Sequence, residues 1–129
     1  MQKNPHLTKE QKRVLFEKGT EMPGTGEWLH ETRPGVYTCA NCGASLFDAK
    51  EKYDSTTPGL IGWPSFAEAM DDTSIVLTPD DDMGMARTEI TCANCGGHLG
   101  HLFTGVDDHP SGNHYCINSC SLDFTPKSD

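Results

Sequence analysis

The chain carries six cysteines and six histidines among its 129 residues, and spacing sorts the cysteines by the chemistry open to them. Four fall into two copies of one hexapeptide. Thr38-Cys39-Ala40-Asn41-Cys42-Gly43 returns letter for letter as Thr91-Cys92-Ala93-Asn94-Cys95-Gly96. The two-residue gap lets both thiolates of a knuckle face one point, and the glycine accepts the left-handed backbone such a turn tends to need. Two knuckles supply four sulfurs, the set that closes a tetrahedral structural zinc site. One Zn²⁺ per chain on Cys39, Cys42, Cys92 and Cys95 is the expectation. Iron would suit the same tetrahedron, and two independent redox pairs are the metal-free alternative. The stretch between Cys42 and Cys92 exceeds the usual zinc-ribbon gap, so an ion here would clip distant strands together. A closed four-thiolate site has no open coordination position, so it accounts for stability and leaves the chemistry elsewhere.

That chemistry falls to Cys116 and Cys120, in Gly112-Asn113-His114-Tyr115-Cys116-Ile117-Asn118-Ser119-Cys120. If the segment is extended, side chains alternate between faces. His114, Cys116 and Asn118 then share one face, while Tyr115 and Ile117 enter the core. A thiol attacks as thiolate, and a nearby imidazolium lowers its pKa. Directly after the second knuckle, His98-Leu99-Gly100-His101-Leu102-Phe103 adds two imidazoles and an aromatic ring on a strand the metal clip would hold. From the residues alone Cys116 is either a nucleophile or an inert buried thiol, the commoner fate of a single cysteine. Two rival functions stay open. One is a zinc-clipped β module that binds a ligand in an aromatic pocket without using the thiol. The other is a disulfide reductase cycling Cys116 and Cys120, which i, i+4 spacing on a strand disfavours.

The elements that must position these residues are short. A hydrophobic fraction of 35% with 13 Gly and 8 Pro implies many turns and a small core, of the kind that needs a staple. One domain over residues 1–129 is expected, with 7–124 as its core and flexible ends. Residues 7–18 read as a helix with Thr8 as N-cap, Gln11 completing a capping box and Gly19 as the stop. Residues 20–33 read as an irregular arm. After Pro34-Gly35, β-like runs follow at 36–39, 74–78, 86–92 and 114–124. One helical turn is expected at 65–71, and exposed loops at 80–82 and 104–113. The class is therefore mainly β, two antiparallel sheets with a short N-terminal helix. A net charge of −9 argues against nucleic-acid binding, which needs clustered basic residues. No apolar run suits a membrane span, and residues 1–16 show no signal-peptide pattern. The expectation is a cytoplasmic monomer, where cysteines serve as metal ligands or catalytic thiols before they serve as disulfides.

Over residues 7–124 the chain resembles the methionine sulfoxide reductase B family, specific for the R epimer of methionine sulfoxide. The landmarks are Thr20-Glu21-Met22-Pro23 leading to Gly26-Glu27; the first knuckle with Leu46-Phe47; Gly62-Trp63-Pro64-Ser65-Phe66; Arg87-Thr88-Glu89; the second knuckle; His98-Leu99-Gly100-His101; and Tyr115-Cys116-Ile117-Asn118-Ser119. Each is weak alone, and their order and spacing together are specific. The resemblance implies two antiparallel β-sheets with peripheral helices and makes Cys116 the nucleophile. It sets Trp63 and Phe103 as walls for the S-methyl group, and His98, His101 and Asn118 around the sulfoxide oxygen. The substrate would be oxidised methionine in proteins or peptides, with thioredoxin or another thiol as reductant.

Three departures from the family matter. Many relatives carry a recycling cysteine just before Gly-Trp-Pro-Ser-Phe, where this chain has Ser55-Thr56-Thr57-Pro58-Gly59-Leu60-Ile61. Cys120 is then the one spare thiol. On a regular strand it lies about 13 Å from Cys116, beyond the ~7 Å a disulfide tolerates, which favours an external thiol over Cys120 as resolving partner. His114 stands where the family usually has Arg, next to the substrate. A partly neutral imidazole predicts weaker thiolate stabilisation than a permanent cation gives. Residues 104–113 lack the family's Asp-Gly-Pro pattern.

Overall fold

The computed structural model describes residues 4–56, 61–71, 73–80, 87–105 and 109–127. Among them one helix, α1 (Lys9–Glu17), precedes nine strands: β1 (Gly35–Cys39), β2 (Ser45–Asp48), β3 (Lys52–Tyr53), β4 (Ser65–Phe66), β5 (Ile75–Asp80), β6 (Arg87–Cys92), β7 (His98–Thr104), β8 (Asn113–Ile117) and β9 (Leu122–Pro126). The strands form two antiparallel sheets, ordered β2-β1-β9 and β3-β4-β8-β7-β6-β5. This is the mainly β class expected.

The sheets meet over rings. Tyr37 and Phe47 of the small sheet and Phe66 of the large one are fully buried. Phe47 stacks on Phe66 at 4.5 Å, and Tyr37 meets Phe66 edge-on at 5.2 Å. Ile90, Leu99, Ile117 and Leu122 complete the core. The aromatic stack explains why residues 65–71 do not open with a helical turn. Phe66 must reach Phe47, and an extended Ser65–Phe66 pairs with Cys116 and Tyr115 of β8.

Two β-bulges set the faces. The β6–β7 register passes from Ile90↔Gly100 to Thr91↔His98, leaving Leu99 as the extra residue. The β1–β2 register slips in the same way at Leu46, from Tyr37↔Phe47 to Thr38↔Ser45. Each bulge follows the second cysteine of its knuckle by the same interval. A bulge breaks the two-residue alternation, so adjacent Leu46 and Phe47 are both buried. At β7, His98 and His101 would lie on opposite faces of a regular strand. Their rings instead approach to 5.4 Å.

The run 114–124 is not one strand. A 3-10 turn, Ser119–Ser121, breaks it and carries the chain from the large sheet (β8) to the small one (β9). Helix α1 has the expected capping box, Gln11 N–H to Thr8 Oγ1 at 3.1 Å and Thr8 N–H to Gln11 Oε1 at 2.8 Å. Its left-handed end is Lys18 (φ 55°) rather than Gly19. The Lys18 ammonium bridges Asp80 (3.0 Å) and Glu89 (3.6 Å), which offsets the roughly 1–2 kcal/mol a non-glycine residue loses in that conformation. Asp80 also departs from expectation: it closes β5 and is buried, while Asp81, Asp82 and Ala86 lie outside the described residues. Strands β2 and β3 were not anticipated, and β7 is the strand expected after the second knuckle. The arm 20–33 is irregular as expected and is pinned by Trp28 Nε1–H to the Leu122 carbonyl (3.0 Å).

Gly100 sits where β7 passes β8 at closest approach. A Cβ there would collide with the Cys116 carbonyl oxygen. Gly100→Ala is therefore expected to displace Cys116 and lower any thiol-dependent turnover by about 100-fold, since ångström-scale misplacement costs that much. Steady-state kinetics alongside a melting curve checks it.

Candidate active site

The four knuckle sulfurs converge. Cys39 and Cys95 Sγ are 3.7 Å apart, Cys42 and Cys92 Sγ 3.5 Å, and all four lie within 4.8 Å of one another. A four-sulfur zinc tetrahedron with bonds of about 2.3 Å spaces its sulfurs by about 3.8 Å, so the donor set fits an ion of that kind. The two knuckles repeat in detail. Gly43 N–H bonds the Cys39 carbonyl (2.8 Å) and Gly96 N–H the Cys92 carbonyl (2.7 Å), with φ of +80° and +78° at the two glycines. Leu15 of α1 packs over the second turn at Gly97.

A second centre opens on the large sheet. Cys116 on β8 lies between Ser65 of β4 and His101 of β7 in register. A cleft of about 90 Å³ is lined by Thr20, Trp63, Arg87, Gly100, His101, Phe103, Cys116 and Asn118. Buried hydrogen bonds hold its walls. Trp63 Nε1–H donates to the Glu21 carbonyl at 3.0 Å. Asn118 Nδ2–H donates to Leu99 O at 3.1 Å, and its Oδ1 accepts from Glu21 N–H at 3.0 Å, so neither end of the amide can swing. Glu21 Oε1 in turn accepts the Cys120 N–H at 2.8 Å.

Each histidine has a fixed partner. His101 Nε2 lies 2.9 Å from Asp80 Oδ2, and His98 Nδ1 lies 2.8 Å from Glu89 Oε2. Burial lowers both imidazole pKa values, and the paired carboxylates oppose that shift. His98 is buried beside His101 and does not line the cleft. Nor does His114. It is fully buried, with Nε2 2.7 Å from Ser65 Oγ and its ring against Tyr53 and Phe103. The alternation expected for β8 does bury Ile117 and pack Tyr115 on the core, but Tyr53 and Ser65 roof the His114 ring.

The thiol itself differs from expectation. Burial, and secondarily the Glu21 carboxylate, push Cys116 up to about 12. A raised thiol pKa means less thiolate at any pH below it. Cys116 in the free protein is therefore expected to alkylate with iodoacetamide at pH 8 on the order of 1,000-fold more slowly than free cysteine, because only thiolate reacts. The rate should still climb steeply between pH 9 and 11, as followed by peptide mass spectrometry. Cys120, likewise pushed up to about 12 by burial and Glu21, opens into a different cavity with Thr8, Gln11, Gly26 and Ser119. Sequence reasoning passed over Asp80, which nothing in the acidic run distinguishes. It also gave no site role to Glu21, Arg87 or Glu89, though all three lie in motifs it singled out.

Geometry reaches as far as a class: a two-sheet antiparallel β protein with four converging cysteine sulfurs and a separate cysteine in a small cleft. Comparison with known proteins takes the next step. A family model described as the SelR domain matches residues 7–126. A "Peptide methionine sulfoxide reductase MsrB" of Leifsonia xyli subsp. xyli is 50% identical over 123 residues, covering 95% of this chain and 86% of that protein. The MsrB of Leptospira interrogans is 48% identical, over 92% of this chain and 86% of its own. The mouse "Methionine-R-sulfoxide reductase B3, mitochondrial" is 46% identical over 93% of this chain, which spans 46% of that protein's length. The chain belongs to the SelR family. Among solved structures, the "Yippee-like" domain of Mis18 shares the fold, with a TM-score of 0.55 at 18% identity over 75% of this chain and all of that one. No helix among the described residues is long and apolar enough to cross a membrane.

Proposed function

We propose that this protein is a peptide-methionine (R)-S-oxide reductase that works through Cys116. The observation that carries the reading is the juxtaposition, in one small cleft, of the Cys116 thiol with His101, Asn118, Trp63 and Phe103. The Cys116 sulfur gives an electron pair to the sulfoxide sulfur, and the oxygen passes to Cys116. The thiol proton ends on that oxygen, so thiol plus sulfoxide become sulfenic acid plus methionine. Oxide is a poor leaving group, so the oxygen must be protonated or hydrogen-bonded as the bond breaks, a task suited to His101 near neutral pH. Trp63 and Phe103 accept the S-methyl group through sulfur–aromatic and apolar contact. Exchanging the epimer would turn the oxygen toward the rings and the methyl toward the polar groups. Two thiols then return the enzyme: the first displaces the sulfenic oxygen as water, and the second releases the first as a disulfide.

Thioredoxin or a small thiol is the reductant we favour, because Cys120 opens on a different cavity from Cys116. The substrate is oxidised methionine in proteins and peptides. The four knuckle cysteines would hold a Zn²⁺ whose contribution is a cross-link, with no open position for substrate. The test is turnover of separated R and S epimers of a methionine sulfoxide peptide, with dithiothreitol and with thioredoxin. The R epimer alone is expected to be consumed, and Cys120→Ser to stay within about twofold of the parent, as befits a residue outside the reaction. Failure to reduce the R epimer in excess dithiothreitol rejects the reading, and a Cys120→Ser enzyme starved only with thioredoxin restores the internal resolving role.

A further inference from the structure

Asp80 has no part in the reaction as written, yet its side chain is 3% exposed and one oxygen gathers three neighbours. Oδ2 lies 2.9 Å from His101 Nε2, 3.0 Å from Lys18 Nζ and 3.6 Å from the Arg87 guanidinium. His101 and Arg87 both line the cleft that holds Cys116. An ionised carboxylate only accepts, so the hydrogen of this pair sits on His101 Nε2, and the partner of one ring nitrogen decides the state of the other. That leaves Nδ1 as the nitrogen His101 can offer to a group in the cleft. The carboxylate is itself held. Lys18, at the left-handed end of α1, ties it to Glu89, which anchors His98 (2.8 Å). We propose that Asp80 is a positioning residue: it fixes the tautomer and tilt of His101 so that the bare Nδ1 can take the Cys116 thiol proton and hand it to the sulfoxide oxygen. This rests on the reductase reading above.

Among the described residues, the charged and titratable groups around the ring are Lys18 at the end of α1, Asp80 from β5, Arg87 and Glu89 from β6, His98 from β7 and Cys116 from β8. Asp80→Asn keeps the shape and removes the charge. It is expected to lower kcat by about 10- to 100-fold with KM within about twofold, the pattern of an interaction made in the transition state. On a His101→Gln background the same substitution should cost less than about twofold, since residues acting through one another are not additive. Equal losses on both backgrounds, or none on either, overturn the proposal. A second readout needs neither turnover nor a variant. Imidazole ¹⁵N NMR of the substrate-free parent protein should find His101 protonated on Nε2, and a neutral ring with its proton on Nδ1 alone overturns the proposal. If the parent protein reduces no sulfoxide, the reductase reading falls by itself and the NMR result still decides whether Asp80 holds the ring.

Discussion

Cys116→Ser should fold like the parent protein and lose at least about 10⁴-fold in R-sulfoxide turnover, the scale seen when a nucleophile is removed. Serine is close in size, and Cys116 sits between Ser65 and His101 by backbone pairing that the side chain does not make, so the sheet has no reason to change. What is lost is the acceptor. An alkoxide is far harder to form than a thiolate, and a hydroxyl cannot take up the sulfoxide oxygen as a sulfenic acid does. Single-turnover assays of methionine formation, run beside a thermal melt, check both halves. Retained turnover would return the ligand-binding or Cys120-based alternatives to contention.

The second large effect concerns the knuckles. Cys39→Ser, or chelation of the parent protein, is expected to lower the melting temperature by more than about 20 °C or to unfold the chain. Structural zinc contributes about 10–16 kcal/mol of binding free energy, against a total stability of about 5–15 kcal/mol for a domain. Cys39 and Cys92 are also core residues, each 1% exposed, so losing the ion would leave four thiols crowded within 4.8 Å beside the core that holds Tyr37, Phe47 and Phe66. Metal content measured with the melt should fall from about one per chain to near zero, as for other closed four-thiolate sites. A metal-free chain that melts at the parent temperature would reject the structural role.

Much of this was open to reading in the residues. The repeated hexapeptide announces four converging sulfurs, and the Thr8–Gln11 capping box forms as its side-chain chemistry demands. Trp63, Phe103, His101, Cys116 and Asn118 do come together in one cleft. The failures have physical causes. Strands β3 and β4 are two residues long and take their shape from tertiary pairing, which local pattern does not encode. Asp80 looks like solvated charge until Lys18, Arg87 and His101 arrive from three other elements. His114 lies on the face that alternation predicts, but Tyr53, brought over from β3, closes it off. The ring expected beside the thiol is instead held in a buried hydrogen bond with Ser65.

The bulge at Leu99 carries a consequence for how this segment tolerates change. A single residue removed between Cys95 and His101 would straighten β7 and turn the side chains on one part of it through to the opposite side of the sheet. Either the imidazoles would part or the second knuckle would face away from the first. The number of residues there is fixed as well as their identities, so a one-codon deletion or duplication should abolish the site even where every side chain around it is kept.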